Sequence, residues 1–246
     1  MKFLQYGIDA PYAVTHLILA GLALMGVGWA MQFVYPVAMT KIGLMITFFI
    51  VGAGWSLLYT AALMVFSSCF SKRHLAKKII AKLQLQGNES ILDIGCGSGL
   101  FMIEAAKKLS TGKAIGLDCW VKKDQLKNSP YHTLRNIDRE NVYDKTALVT
   151  GDMRYLPFKD HYFDVIISNL ALHNLSSSQA RTKVIEEAVR IVKPGGRILF
   201  IDFQYTKEYS TELSKILMKN VHRSKLNFIV CPPVRLVSAE VQSPKI

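Results

Sequence analysis

The chain has 246 residues, is 50% hydrophobic and carries a formal net charge of +12. Such a charge suggests an acidic partner, yet the lysines and arginines lack the interleaved aromatics of a single-strand binder, which argues against nucleic acid. Four cysteines, Cys69, Cys96, Cys119 and Cys231, show neither C-x-x-C pairing nor ligand spacing with histidine, so reduced thiols and no metal site are expected.

Residues 10–40 contain no Asp, Glu, Lys or Arg, and after Lys41 there is none until Lys72. Each window exceeds the roughly 20 apolar residues needed to cross a bilayer core. Spans are expected at 13–34 and 42–66, joined by a tight turn around Tyr35-Pro36. A cleaved signal peptide fits poorly, because only Lys2 precedes a long apolar stretch and a second one follows. The competing reading is a buried helical hairpin of a soluble protein. Gly21, Gly26, Gly28, Gly52 and Gly54 would let the two helices approach closely. Lys72, Arg73, Lys77, Lys78 and Lys82 follow the second span, while the connecting segment holds only Lys41. Positive residues stay inside, so the remainder of the chain and its amino terminus are expected on the cytoplasmic side. Residues 1–71 thus read as a membrane anchor and 72–246 as one α/β domain.

Within that domain a helix is expected over 75–85. Strands follow near 90–94, 113–117, 147–150, 164–168 and 197–202, alternating with helices such as 100–109. This is the pattern of a parallel sheet covered on both faces. Beyond Asp202, a helix is expected over 210–220, then a hairpin of 225–230 and 235–241 over Cys231-Pro232-Pro233.

The run Ile91-Leu92-Asp93-Ile94-Gly95-Cys96-Gly97-Ser98-Gly99 reads as a buried strand that breaks into a glycine turn and opens a helix. Glycines there let the backbone pass close to a nucleotide-like ligand. A dinucleotide fingerprint would place its last glycine one residue later, where Leu100 stands, which argues against NAD and an oxidoreductase. Gly116-Leu117-Asp118 sets a carboxylate at the tip of the second strand, where an acid can accept both ribose hydroxyls.

The turn resembles the first motif of class I S-adenosylmethionine-dependent methyltransferases, an acidic residue followed by G-x-G-x-G. Further segments match in order: Val149-Thr150-Gly151-Asp152-Met153 with Leu156-Pro157-Phe158, then Phe163 to Asn169, then the helix, turn and strand from Arg190 to Phe200. The resemblance covers roughly residues 72–241 and is nearest to the small-molecule enzymes related to ubiquinone and menaquinone biosynthesis. It implies a Rossmann-like, mostly parallel sheet of seven strands with helices on both faces, and S-adenosyl-L-methionine as cofactor. By the same resemblance, Gly95, Cys96, Gly97 and Gly99 cradle the methionine and ribose portion, and Asp93 is tied to the amino group through water or backbone. Asp118 takes the ribose hydroxyls, Asp152 the adenine amine, the Met153 backbone a ring nitrogen, and the Asn169 backbone borders the methionyl group. Trp120 either covers the adenine face or packs between strand and helix. His173 either deprotonates or hydrogen-bonds the acceptor, or caps the next loop.

The Asn-Pro-Pro-aromatic tetrapeptide of enzymes acting on planar amino groups is missing at Asn169-Leu170-Ala171-Leu172, which argues against DNA and glutamine acceptors. Residues 122–140 read as part of a lid or as a surface helix. Within them Lys122, Lys123 and Lys127 are either solvated or guide an acidic substrate or lipid headgroup. The combined expectation is a membrane-anchored methyltransferase of a lipophilic small molecule or lipid. Methylation of a membrane-protein lysine or terminus is one alternative, and a cofactor-binding regulatory module without turnover is another.

Overall fold

The computed structural model of the protein describes residues 5–34, 40–121, 128–216 and 218–242. The expected turn at Tyr35-Pro36 and the Lys122, Lys123 and Lys127 group lie outside them.

The chain opens with two long apolar helices, α1 (Pro11–Val34) and α2 (Lys41–Phe66). Small residues bring their backbones together: a Cβ on Gly54 would stand 2.9 Å from the carbonyl oxygen of Gly21, and one on Gly28 would stand 2.6 Å from Val51. Both helices are long and apolar enough to cross a membrane. Their outward faces carry Trp29, Phe33, Phe48 and Phe49, all largely exposed. The domain therefore does not cover them as it would a core hairpin, and an apolar surface of this extent marks a contact with membrane or partner.

A one-turn π-helical segment, Ser67–Ser71, carries α2 without a break into α3 (Lys72–Lys82). Helix α3 thus starts and ends three residues before the expected bounds, and no linker separates it from α2. Lys72, counted in sequence as one of the cytoplasmic positive charges, is buried at this junction. Its ammonium donates to the carbonyls of Tyr6 and Gly7 and pairs with Asp9 at 2.9 Å. Burying a lysine is tolerable here because each of these groups replaces lost water. The segment that Lys72 holds also reaches into the domain. Gln5 donates to Glu140, and the carbonyl of Gln5 lies 3.1 Å from His132 Nε2. Burial alone would raise the Glu140 carboxyl, but hydrogen bonds from Lys107 and Gln5 and the charge of Arg73 hold it below its usual range.

Seven strands form one sheet: β1 (Ser90–Ile94), β2 (Lys113–Asp118), β3 (Thr146–Thr150), β4 (Phe163–Asn169), β5 (Val192–Asp202), β6 (Met218–Arg223) and β7 (Arg235–Val241). Their order is β3-β2-β1-β4-β5-β7-β6. The first five strands pair in parallel, and β7 runs antiparallel to β5 and β6. Side chains alternate between two cores. Ile91, Val165 and Ile167 pack toward α3 and α4 (Leu100–Ala106). Leu92, Ile94 and Ile166 pack toward α6 (Ser178–Ile191) and α7 (Thr206–Lys215). The chain moves outward from β1 through β2 to β3, then returns to β4 on the other side of β1. The carboxyl ends of β1 and β4 therefore flank the point where the strand order reverses, where open α/β sheets bind ligands.

Four further expectations are corrected. Helix α4 ends at Ala106 rather than at 109. Strand β5 begins at Val192, five residues early, and includes a kink with Gly195 at φ +76°. Helix α7 covers Thr206–Lys215 rather than 210–220. The partner of β7 is Met218–Arg223, and 225–230 belongs to the loop between β6 and β7. The alternation of Leu226, Phe228 and Val230 imitates a strand, but Phe228 points outward and is 74% exposed. Strand β6 is disguised by the polar side chains of a sheet edge.

Phe163 is fully buried, with Phe158 and Tyr162 packed edge-on against its ring. Phe163→Ala should cost about 3–5 kcal/mol. Urea unfolding of the detergent-solubilised full chain, followed by near-ultraviolet circular dichroism, measures it.

Candidate active site

At the end of β1 the backbone turns back on β2, with the N–H groups of Gly95 and Cys96 both donating to the carbonyl of Leu117 at 2.7 and 3.1 Å. This turn needs glycine. Gly95, Gly97 and Gly99 lie at φ +71°, +50° and +82°, and a Cβ on Gly95 would stand 2.4 Å from the Cβ of Ala171. The loop after β4 therefore rests directly on the turn. Met153 joins them from another loop, its methyl 3.5 Å from the same Gly95 position.

Asp118, at the tip of β2, is buried and gathers three donors. The N–H of Gly97 reaches Oδ2 at 2.8 Å, and the N–H of Trp120 and the amide of Asn128 reach Oδ1. Asp93 sits on the α4 side of β1, where its Oδ2 accepts the N–H of Met102 at 3.0 Å. Burial pushes the Asp93 carboxyl up to about 7, opposed by the Met102 hydrogen bond and aided by the nearby Asp118 charge. Burial also pushes the Cys96 thiol well above its usual range. Cys96 is thus a packed, unreactive turn residue.

The other expected residues occupy the rim. Trp120 donates through its indole N–H to Thr150 at 2.8 Å, bridging the ends of β2 and β3. Asp152 is half-exposed, and its carboxylate is gripped from both sides by Arg154, which holds it below the usual range. Asn169 ends β4, and the next residue, Leu170, turns at φ +53°. His173 follows in a short 3-10 turn, with Nδ1 2.9 Å from Oδ1 of the buried Asp202. This is ion-pair range, although the ring is off hydrogen-bond alignment. The N–H of His173 donates to Asp202 Oδ2, and the ring packs edge-on against Phe203 with centroids 4.6 Å apart.

Four further residues complete the site, and three of them, Asn128, Thr133 and Asn136, lie in the segment expected as a polar lid. Helix α5 (Pro130–Arg139), capped by Ser129, directs the fully buried Thr133 and Asn136 onto the glycine turn. Thr133 donates to the carbonyl of Gly97 at 2.7 Å, and Asn136 to that of Ser98 at 3.0 Å. Their spacing of three, behind the Ser129-Pro130 helix start, was the available signal. Asn128 and Asp202 are the others, and Asp202 is announced only as the lone acid ending an apolar strand. The expected lid is thus, over 130–139, a helix that buries two polar side chains against the turn.

Residues 92–200 match the family of the methyltransferase domain. This segment is a methyltransferase domain. Demethylmenaquinone methyltransferase of Lactiplantibacillus plantarum is 31% identical over 131 residues, covering 53% of this chain and 52% of that protein. The chloroplastic 2-phytyl-1,4-beta-naphthoquinone methyltransferase of Arabidopsis thaliana is 32% identical over 122 residues, covering 49% and 44%. A SAM-dependent methyltransferase structure from Aquifex aeolicus superposes with a TM-score of 0.53 at 17% identity, over 68% of this chain and 89% of that one. The chain spans about half the length of the relatives it matches. The cofactor of the methyltransferase domain is S-adenosylmethionine. The site fits it: three positive-φ glycines leave room where side chains would intrude, and a buried carboxylate stands at the tip of β2.

Asp93 gives a pH test. Its folded value of about 7 lies above the unfolded value of about 3.9, so the folded state binds more protons and loses stability as pH rises through that window. Asp93→Asn should flatten this decline, read as urea midpoints from pH 4 to 7.5. Gly95→Ala, forced against Ala171, should weaken cofactor binding by at least tenfold in calorimetry, as strain of a few kcal/mol requires.

Proposed function

We propose that this chain transfers a methyl group from S-adenosylmethionine to a lipophilic small molecule or lipid at the surface of a membrane crossed by α1 and α2. Residues 1–71 serve as the anchor and 72–246 as the catalytic domain, facing the cytoplasm. The observation that carries this reading is the continuous rod of α2 and α3, which joins two exposed apolar helices to a domain with a complete glycine turn and Asp118. Arg73, Lys77, Lys78 and Lys82 supply the positive charge expected on the cytoplasmic side even with Lys72 buried. Holding enzyme and acceptor on one surface replaces a search through solution with a search in two dimensions. Relatives named for demethylmenaquinone and a phytyl naphthoquinone favour a quinone-like acceptor.

When bound, S-adenosylmethionine supplies a sulfonium methyl for in-line displacement. The chain's own work is then placement, with no covalent nucleophile required. The glycine turn and Asp118 fix the donor side. Asn169 borders the methionyl portion, Asp152 and the Met153 backbone read the adenine, and Trp120 walls it. On the acceptor side His173 stands at the end of β4, its ring held by Phe203 and its Nδ1 facing Asp202. From that position the ring can accept or hydrogen-bond the proton of an acceptor seated at the end of β4.

Membranes carrying the full chain, supplied with methyl-labelled S-adenosylmethionine and then extracted, test this. Label should enter the organic phase and vanish with Asp118→Ala. Label confined to protein would overturn the lipid reading in favour of a protein acceptor. Cofactor binding with no Asp118-dependent label in any fraction would leave a binding module. His173→Ala should keep cofactor affinity and lower turnover by about 10²–10⁴-fold.

A further inference from the structure

Away from the glycine turn, a groove of about 620 Å³ opens between α3 and the outer strands. Leu75 and Ile79 of α3 form one wall, and Leu199 and Leu236 of β5 and β7 form the floor. The loop between β6 and β7 forms the other wall with Leu226 and Phe228, both exposed. That loop is fastened to the end of the second apolar helix, because the N–H of Cys231 donates to Ser67 Oγ at 2.8 Å. One end of the groove therefore lies beside the junction of α2 and α3.

The rim is cationic. Lys78 and Lys82 stand one and two turns along α3 from Leu75, with Arg197 and Lys225 opposite, against the one lining carboxylate of Glu240. Among the described residues no carboxylate pairs with Lys78, Lys82 or Lys225, and all three are exposed. Arg197 is oriented by donation to the carbonyl of Leu83 at 2.8 Å. An apolar trough whose rim sets four cations against one carboxylate, next to the foot of α2, matches an amphiphile with an anionic head. A neutral acceptor would gain nothing from these charges. The glycine turn lies elsewhere, at the end of β1, whereas the groove runs along β5 from Arg197 to Ile201 and over β7, with β4 between them.

We propose that this groove binds an anionic phospholipid of the host membrane, its phosphate among Lys78, Lys82, Arg197 and Lys225 and its chains along Leu75, Ile79 and Phe228. The proposal rests on the reading that α1 and α2 cross that membrane. Bound lipid would fix the tilt of the domain over the bilayer.

Native mass spectrometry of the full chain in detergent, titrated with phosphatidylglycerol or with phosphatidylcholine of the same chains, tests it. Phosphatidylglycerol should be retained about tenfold better, and Lys78→Glu/Lys82→Glu/Lys225→Glu should remove that preference while calorimetric cofactor binding stays unchanged. Should the triple variant misfold, Lys82→Glu alone should weaken the preference by several-fold. Equal retention of both lipids, or an unchanged preference in the variants, overturns the proposal. Displacement of phosphatidylglycerol by millimolar inorganic phosphate overturns it in favour of a phosphate site, and displacement by a neutral prenyl quinone in favour of an acceptor channel. Carbonate washing of the same membranes tests the spans separately. Release of the chain refutes the membrane reading, while a retained chain without lipid preference refutes only the groove.

Discussion

Asp118 accepts the N–H of Gly97, and on that hydrogen bond most of the site depends. Its two oxygens tie together the turn after β1, the tip of β2 and the approach to α5 through Gly97, Trp120 and Asn128. Three donors replace the water that burial takes from this carboxylate. Because backbone groups supply two of those donors, the turn can take its shape only with glycine at the left-handed positions. Asp93, on the opposite side of the turn, makes the complementary bond to α4, so the loop is pinned at both ends before any ligand arrives.

What could be read from residues was whatever local chemistry dictates. The strand into Gly95-Cys96-Gly97-Ser98-Gly99 was legible because buried aliphatics and glycine spacing leave few alternatives, and β1 falls on 90–94 as expected. The first five strands followed from the same runs of Val, Ile and Leu. Strand β6 was hidden because Met218–Arg223 is a polar edge whose identity comes from pairing with β7, a contact that local pattern does not encode. Thr133, Asn136 and Asp202 were hidden for a related reason. A polar side chain looks solvated in sequence, and only the fold reveals that each of these is buried against backbone groups it must satisfy.

Two kinds of surface meet at the end of α2. Above it, polar side chains are buried and paired; along the two long helices, large apolar ones are bare. No flexible connector separates these regimes, since the helical backbone runs through Ser67–Ser71 and Lys72 closes the corner with three oxygen partners. Residues 72–82 are thus joined to the apolar helices by continuous helical backbone rather than by a loop.

The same corner makes residues 5–9 part of a brace. They are clamped by Lys72 at one end and bonded to Glu140 and His132 at the other, and α5, which carries His132, grips the backbone carbonyls of Gly97 and Ser98. The amino-terminal segment thus belongs to the frame around the glycine turn, and cutting it away would loosen α5 as well as the corner at Lys72.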